Sequence, residues 1–469
     1  MPAQRYDLVI IGAGAGGLIA ADFAVRLGAK TALVEKDRIG GDCTWTGCVP
    51  SKALLKIAKV AHHVRTASRY GIESDSLTID MAKVHDYVQA AVQQIYRGTT
   101  PEALRAKGMD VHLGGAQFLD AQNILTGNTT LHAKHFLITT GANPVMPDIS
   151  GLRDVPFITY HKIFDIREIP RSLIVVGGGP VGTEIAQAYQ RLGAQVTVIT
   201  DALLPKEDED AREIIERVFA MEGVRQVKGR AKAARKEGNA IVVSTGDDEA
   251  RGDLLFVAAG RRPNIDGLDL DKAGVKYTDK GITVDDELRT NVTHIYAAGD
   301  VLGGYEFSHF AGWQAFQAVR NALLPGHSSG RTDIVPWVTF TDPEVAHVGL
   351  GEQQAQSQFG DDLRVHRLPI EKIDRAVCED DRNGFIKILA KSDGSIVGAT
   401  IVAERAGEAI TEIALAMKNG LTVGEIAGAI HPYPTYSTGV QLLATQMAIQ
   451  KRLSGISGKI IRRLSAVAH

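Results

Sequence analysis

Cys43 and Cys48 occur in GGDCTWTGCVPSKALL with four residues between them, and Lys52 follows four positions later. A Cys-x4-Cys pair at the start of a helical pattern suits a dithiol that cycles, because a helix N-terminus favours a nearby thiolate. One sulfur could attack a substrate while the other stays against a redox cofactor. Half of a zinc site and a pair of buried thiols are the competing readings. Zinc needs further ligands at matching spacing, and none stands out. No residue is assigned to a resident metal.

Two glycine-rich turns offer a place for dinucleotides. Gly12, Gly14 and Gly17 form G-x-G-x-x-G after an apolar strand. The first glycine allows the tight turn, the second lets backbone approach a pyrophosphate, and the third lets helix pack on strand. The helix N-terminus then supplies N–H groups to the phosphate. Glu35, 18 residues after Gly17 at the end of TALVE, is placed to accept from a ribose diol. Gly177, Gly179 and Gly182 repeat the pattern. There the position of Glu35 is taken by Thr200, at the end of VTVIT. The missing acid tilts the expectation from NADH to NADPH, with Lys206 or Arg191 as candidates to meet a 2′-phosphate.

The elements that must hold these residues follow from the same repeat. DLVIIGAGAGG at 7–17 and SLIVVGGGPVG at 172–182 lie 165 residues apart, and each leads to a helix, RLGA and a short strand. That is the start of two doubly wound nucleotide-binding units. Residues 50–100 read as long helices beginning near the cysteine pair, and 108–137 as short strands. The strand HIYAAGD, His294–Asp300, returns to the first unit. From about Pro336 strands precede helices, as in a separate α+β domain. The expected layout is a first part of one nucleotide-binding domain at 1–150, a second such domain at 151–270, and a return segment at 271–335. An interface domain at 336–450 and a basic tail at 451–469 complete it.

Composition narrows the class. The 469 residues are 44% hydrophobic, include 49 glycines and carry a formal charge of -3. No long basic run marks a nucleic-acid partner. The chain opens directly into a strand, without a secretory pattern, and no apolar run is long enough to span a bilayer. A cytoplasmic enzyme is expected. Three cysteines (Cys43, Cys48 and Cys378) are too few for a disulfide framework.

GGDCTWTGCVPSK resembles the disulfide motif of the class I pyridine nucleotide–disulfide oxidoreductases, which include dihydrolipoyl dehydrogenase, glutathione reductase and mercuric reductase. TTG at 139–141, GRRPN at 260–264 and AAGD ending at Asp300 match further signatures, so the resemblance covers nearly the whole chain. It implies an α/β fold: two interleaved Rossmann-like domains for FAD and NAD(P), with a C-terminal α+β dimerisation domain. It also implies bound FAD, NAD(P)H as reductant and a homodimer. Cys43 then looks like the interchange thiol and Cys48 like the charge-transfer thiol beside the isoalloxazine. Asp300 looks like the acid near the ribityl chain and pyrophosphate, with Gly141 and Gly260 in cofactor-binding turns. Lys52 matches the lysine near flavin N5, and Glu184 the glutamate that pairs with it.

The C-terminal signature departs from the family. Disulfide-reducing members carry His-Pro-Thr-x-x-Glu there, whereas this chain reads HPYPTYST, His431 to Thr438. Aligned on Pro434 and Thr435, Tyr433 takes the histidine position and Thr438 the glutamate position. His431 stands two residues early, as a turn residue or a displaced acid–base group. An ordinary tyrosine, with a pKa near 10, is a poor base. Tyrosine here resembles the mercuric reductase branch, yet no vicinal cysteine pair follows. Cys378, in RAVCEDDRNGF, reads as a bystander in a strand-connecting loop. The tail from Ser454, with Lys459, Arg462 and Arg463, could lie on an anionic membrane surface; a solvated terminus is the simpler expectation.

The expected function is therefore an FAD-dependent NAD(P)H oxidoreductase, mercuric reductase-like, that passes electrons through Cys43–Cys48. The acceptor is a soft metal ion, a quinone-type molecule or a small disulfide. A dihydrolipoyl dehydrogenase-like enzyme and a low-turnover redox sensor are the alternatives.

Overall fold

A computed structural model describes residues 4–73 and 76–454. Lys459, Arg462 and Arg463 of the basic tail, and with them the membrane contact, lie outside the described residues. Residues 451–454 continue the helix Ser437–Ser454. No described helix is long and apolar enough to cross a membrane.

The chain forms two compact units. One holds the described residues up to Gly177 together with Ala188–Thr200 and Gln226–Thr332; the other holds Gly178–Gln187, Asp201–Arg225 and the described residues from Asp333 onward.

The first unit is built on strand β1 (Gln4–Ile11), helix α1 (Ala15–Arg26) and strand β2 (Thr31–Glu35). The helices α2 (Gly41–Trp45) and α3 (Cys48–Arg65) carry the cysteines. Strands β3 (Asp110–Leu113), β4 (Ala116–Asp120), β5 (Asn123–Thr126) and β6 (Thr129–Ile138) complete the sheet, β3 parallel to β2 and β4, β5 and β6 as an antiparallel meander. The sheet order is β3-β2-β1-β6-β5-β4, and the strand Ile295–Ala297 pairs parallel to β6. β1 is apolar from Leu8 to Ile11 because both faces are covered there: Val9 and Ile11 join one core, Leu8 and Ile10 the other.

Helix α1 packs against the helix Ser308–Leu323 through small residues. A Cβ on Gly312 would stand 2.4 Å from Ile19 Cδ1, and one on Gly16 3.2 Å from the Ala311 carbonyl oxygen. Phe23 and Phe316 stack at 4.2 Å further along.

The same unit contains a parallel sheet that runs through Gln195–Thr200, Ser172–Val176 and Leu254–Val257, the core of the second nucleotide-binding pattern.

The second unit is centred on an antiparallel sheet in the order Trp337–Thr339, Glu344–Gly349, Ile396–Ala403, Phe385–Lys391, Leu363–Pro369. One face buries Ala346, Ile386, Ile388 and Ile401 under helical residues such as Ile413 and Leu443. The alternate residues form a polar row in register across all five strands: Trp337, His347, Thr400, Lys387 and Arg367. Lys387 is buried and paired with Asp208 at 2.8 Å, and with Asp210 and Glu352 at 2.9 Å each. Burying that ammonium is tolerable because three carboxylates face it.

Candidate active site: a dithiol beside the first glycine turn

The first glycine turn lies at the C-terminal end of β1. Gly12 adopts φ +103°, and a Cβ there would stand 2.5 Å from the Thr139 carbonyl oxygen. Thr139 Oγ1 donates to the Gly12 oxygen at 2.9 Å, so the TTG segment braces the turn. A Cβ on Gly17 would come 1.9 Å from the Gly12 oxygen, whereas one on Gly14 meets nothing within 4 Å. Two of the glycines are thus demanded by the chain's own packing, whereas Gly14 is not. Glu35 is buried and accepts from the Ala13 amide at 2.7 Å and the Asp37 amide at 2.8 Å. A carboxylate has about four lone-pair directions, so capacity remains for a diol.

The cysteine motif is fastened to this turn. The Gly40 amide donates to the Ala13 oxygen at 2.8 Å. Gly41 lies so close to Gly14 that a Cβ would stand 2.9 Å from the Gly14 Cα. Both glycines have positive φ, which explains the GG before Asp42. Trp45 Nε1 donates to the Ile39 oxygen at 2.8 Å and anchors α2.

Cys43, in α2, is half-buried; Cys48, the first residue of α3, is exposed; both are free thiols. The Cys48 thiol is lowered from its ordinary 9.0 to about 6. The Cys43 thiol beside it is the main cause, followed by the Ser308 hydroxyl and the Lys52 ammonium, against partial desolvation. Cys43 is pushed up, chiefly by its hydrogen bond with Cys48 and then by burial. The pair is therefore asymmetric: Cys48 holds the negative charge and Cys43 the proton. Lys52, one turn beyond Cys48 on α3, favours the anion at both sulfurs.

An ion-pair hub lies next to Cys43. Arg261 Nη2 donates to Asp42 Oδ2 at 2.9 Å, Asp300 Oδ2 at 3.2 Å and the Ala142 oxygen at 3.0 Å. The guanidinium also rests over the Tyr160 ring, 5.1 Å from its centre, and the Tyr160 hydroxyl donates to Asp42 Oδ2 at 3.0 Å. Burial raises the Asp300 carboxyl, and Arg261 opposes that rise. Sequence reasoning found Asp300 and Gly260 but missed Asp42, Tyr160 and Arg261 as a group. Arg261 was visible inside GRRPN, yet its partners are 219 and 39 residues distant. Gly141 and Gly260 adopt φ +71° and +116°, and neither has a neighbour within 4 Å of a built Cβ.

The second glycine turn repeats the first. Gly177 adopts φ +120°, and its Cβ would stand 2.3 Å from the Ala258 oxygen, whereas Gly179 again faces open space. Gly182 lies in the helix Pro180–Leu192. Arg191 is buried. Lys206 is exposed. Glu184 is buried and accepts from the Phe340 amide at 2.9 Å.

At the C-terminal signature, Tyr433 is exposed and donates to Asp374 Oδ2 at 2.5 Å. That bond raises the phenol above its ordinary value, so Tyr433 is a donor and not a base at neutral pH. Thr438 Oγ1 donates to the Thr435 oxygen at 2.5 Å and closes the turn. His431 does not stand alone: its Nε2 lies 2.5 Å from Glu412 Oε1, on the helix Ala406–Lys418. Glu412 carried no signal in the sequence, being one acid on an ordinary amphipathic helix. Cys378 is exposed and ends a short helix, Asp374–Cys378, rather than lying in an irregular loop. Asp374 stands in its first turn, and the Val377 and Glu379 amides donate back to the Ile373 and Arg375 oxygens at 3.1 Å each.

Residues 6–315 match the family described as pyridine nucleotide-disulphide oxidoreductase, and residues 335–444 match its dimerisation domain. The chain belongs to this family and is a flavoprotein oxidoreductase. It is 34% identical over 450 residues to a mercuric reductase of Lysinibacillus sphaericus, covering 94% of this chain and 82% of that one. It is 34% identical over 451 residues to a dihydrolipoyl dehydrogenase of Geobacillus stearothermophilus, covering 92% and 94%. Two solved structures share the fold. LpdA from Mycobacterium tuberculosis has a TM-score of 0.87 at 31% identity, covering 95% of this chain and 100% of that one. A Cu(II) complex of the HOCl-induced flavoprotein disulfide reductase RclA from Escherichia coli has a TM-score of 0.85 at 26% identity, covering 94% and 99%.

The family implies FAD and a pyridine nucleotide, and its dimerisation domain supports a homodimer. The residues present fit FAD: Gly14 leaves room for a pyrophosphate, and Glu35 retains acceptor capacity for a ribose.

Proposed function

We propose that the chain takes electrons from NAD(P)H and delivers them through Cys43–Cys48 to a soft metal ion, in the manner of the mercuric reductases it resembles. When bound, FAD supplies the two-electron relay between nucleotide and disulfide. Gly12, Gly14, Gly17, Glu35, Gly141, Gly260 and Asp300 hold that cofactor in this reading, and Gly177, Gly179 and Gly182 the nucleotide. Cys48 keeps the anionic position on α3, Lys52 supports it, and Cys43 meets the acceptor. Glu184 serves as the acid that the family motif places in the helix Pro180–Leu192.

The observation that carries the choice of acceptor is Tyr433, whose phenol is tied to Asp374 and cannot take a proton from a leaving thiol. A thiophilic cation needs no such base, because the metal itself displaces the thiol proton. Mercuric reductases among the relatives, and Cu(II) in the Escherichia coli structure, support an ion of this chemistry. NADPH is the proposed reductant, since Thr200 offers no carboxylate to a ribose diol.

The test is an acceptor panel of Hg(II), Cu(II), lipoamide and a quinone, each with NADH and NADPH, repeated on Cys43→Ser. Metal-dependent NADPH oxidation that disappears in Cys43→Ser is expected. Lipoamide turnover equal to or above that with the metals overturns the reading. A dihydrolipoyl dehydrogenase-like activity is the second reading, and the His431–Glu412 pair is the observation that favours it.

A further inference from the structure

We propose that Ser308 is a catalytic residue of the dithiol: its hydroxyl donates to the Cys48 sulfur and holds Cys48 as the anionic member of the reduced pair. This rests on the reading of Cys43–Cys48 as the electron exit.

Ser308 Oγ lies 3.3 Å from Cys48 Sγ, across 260 residues of sequence. A hydroxyl in reach of a thiolate is an O–H donor to a charge, among the stronger classes of hydrogen bond. Ser308 opens the 16-residue helix Ser308–Leu323, and Cys48 opens the 18-residue α3. Two helix N-termini therefore converge on one sulfur, and each adds a positive partial charge. The N-cap residues are Phe307 and Gly47, which have no side-chain oxygen to compete for those amides. Lys52 adds a full positive charge.

Ser308 is held firmly. The rings of Phe307 and His309 on either side of it stack at 5.5 Å with an 11° interplanar angle. Tyr305 stacks on Phe307 at 6.1 Å. The packing of Gly312 on Ile19 and of Ala311 on Gly16 fixes the helix against α1, and hence against the turn that fastens the cysteine motif.

The consequence is a division of labour. Two electrons and one proton convert the disulfide to one thiol and one thiolate. The S–S bond breaks, the proton resides on Cys43 and the charge on Cys48. Ser308 also acts on Cys43 in the same sense, but there burial and the neighbouring Cys48 outweigh it.

The test uses the flavin-loaded protein, reduced anaerobically by two electrons, with long-wavelength thiolate–flavin absorption followed between about pH 5 and pH 9. Ser308→Ala is expected to move the midpoint of that absorption upward by about one pH unit, and Ser308→Thr to restore it. As a second measurement, the pH dependence of Cys48 alkylation by iodoacetamide, on a Cys43→Ser background, should move by the same amount. A midpoint in Ser308→Ala within about 0.3 of wild type by either measurement overturns the proposal. Absence of the band in the wild type, or its survival in Cys48→Ser, instead defeats the parent reading of the cysteine pair.

Discussion

His431 Nε2 lies 2.5 Å from Glu412 Oε1. The chain thus has a histidine–carboxylate pair near its C-terminal signature, but the carboxylate comes from the helix Ala406–Lys418 and the histidine stands two residues before the family position. A carboxylate that orients an imidazole is the arrangement a general base needs. Whether the pair serves catalysis can be decided by acceptor. Under the proposed function, His431→Ala and Glu412→Gln should leave metal-ion turnover within about twofold of wild type, where a lost general base costs roughly 10²-fold or more. A loss of that larger size with the metal would overturn the argument from Tyr433. The same loss confined to lipoamide would show that the pair serves only disulfides.

The asymmetry of the thiols predicts distinct cysteine variants. With Cys48 lowered to about 6, the long-wavelength absorption of the reduced protein should persist at neutral pH and fade as pH falls below that value. Cys48→Ser should abolish the band, whereas Cys43→Ser should retain a band and lose turnover. The reverse pattern would exchange the two roles.

The glycine turn predicts a separation of folding from cofactor binding. Gly14 has ordinary φ, −77°, and open space around a built Cβ. Gly14→Ala should therefore fold, with a Tm for the flavin-free chain within about 2 °C of wild type, since a surface change typically costs under about 0.5 kcal/mol. It should nevertheless retain much less flavin, measured by absorbance after gel filtration. Gly17→Ala, whose Cβ would strike the Gly12 oxygen, should lose both flavin and stability. Full flavin content in Gly14→Ala would mean that no pyrophosphate approaches there.

Glu207 predicts a pH dependence of stability. It is buried, its Oε1 accepts from Trp337 Nε1 at 2.6 Å, and its Oε2 is buried with no hydrogen-bond partner among the described residues. Burial is the main cause that raises its carboxyl from 4.5 to about 7. Asp208 adds to the rise; Trp337 and Lys206 oppose it. His347, itself pushed down by burial, stacks on the Trp337 ring at 4.4 Å. The folded carboxyl keeps its proton to higher pH than the unfolded one. Stability is therefore unaffected below about pH 4.5 and declines as pH rises to about 7, by roughly 3 kcal/mol in all. Glu207→Gln keeps an acceptor for Trp337 and should raise Tm at pH 8 while changing little at pH 5. Equal effects at the two pH values would show that Glu207 does not titrate in this window.

Much of the fold was legible because periodic apolar runs and glycine spacing are local properties. β1, α1 and β2 follow from residues 4–35, and the repeat at 172–200 announces the second parallel sheet. The cysteine pair was legible for the same reason. Cys378 was misplaced because a five-residue helix has too few turns to show periodicity.

The sequence by itself determined the chemistry on offer: two thiols at a helix start, two dinucleotide turns, and a C-terminal signature without its usual histidine or glutamate. Only the tertiary structure decided what surrounds each group. It brought Ser308 to Cys48 and Arg261 to Asp42 and Asp300, bound Tyr433 to Asp374, and placed Glu412 behind His431. The physical reason is range: spacing along a helix or strand is set by local backbone geometry, whereas hydrogen bonds between residues 260 or 219 positions apart exist only after the strands and helices have packed. Cys43 and Lys52, close to Cys48 in sequence, already favour its thiolate; the contribution of Ser308 is what the fold adds.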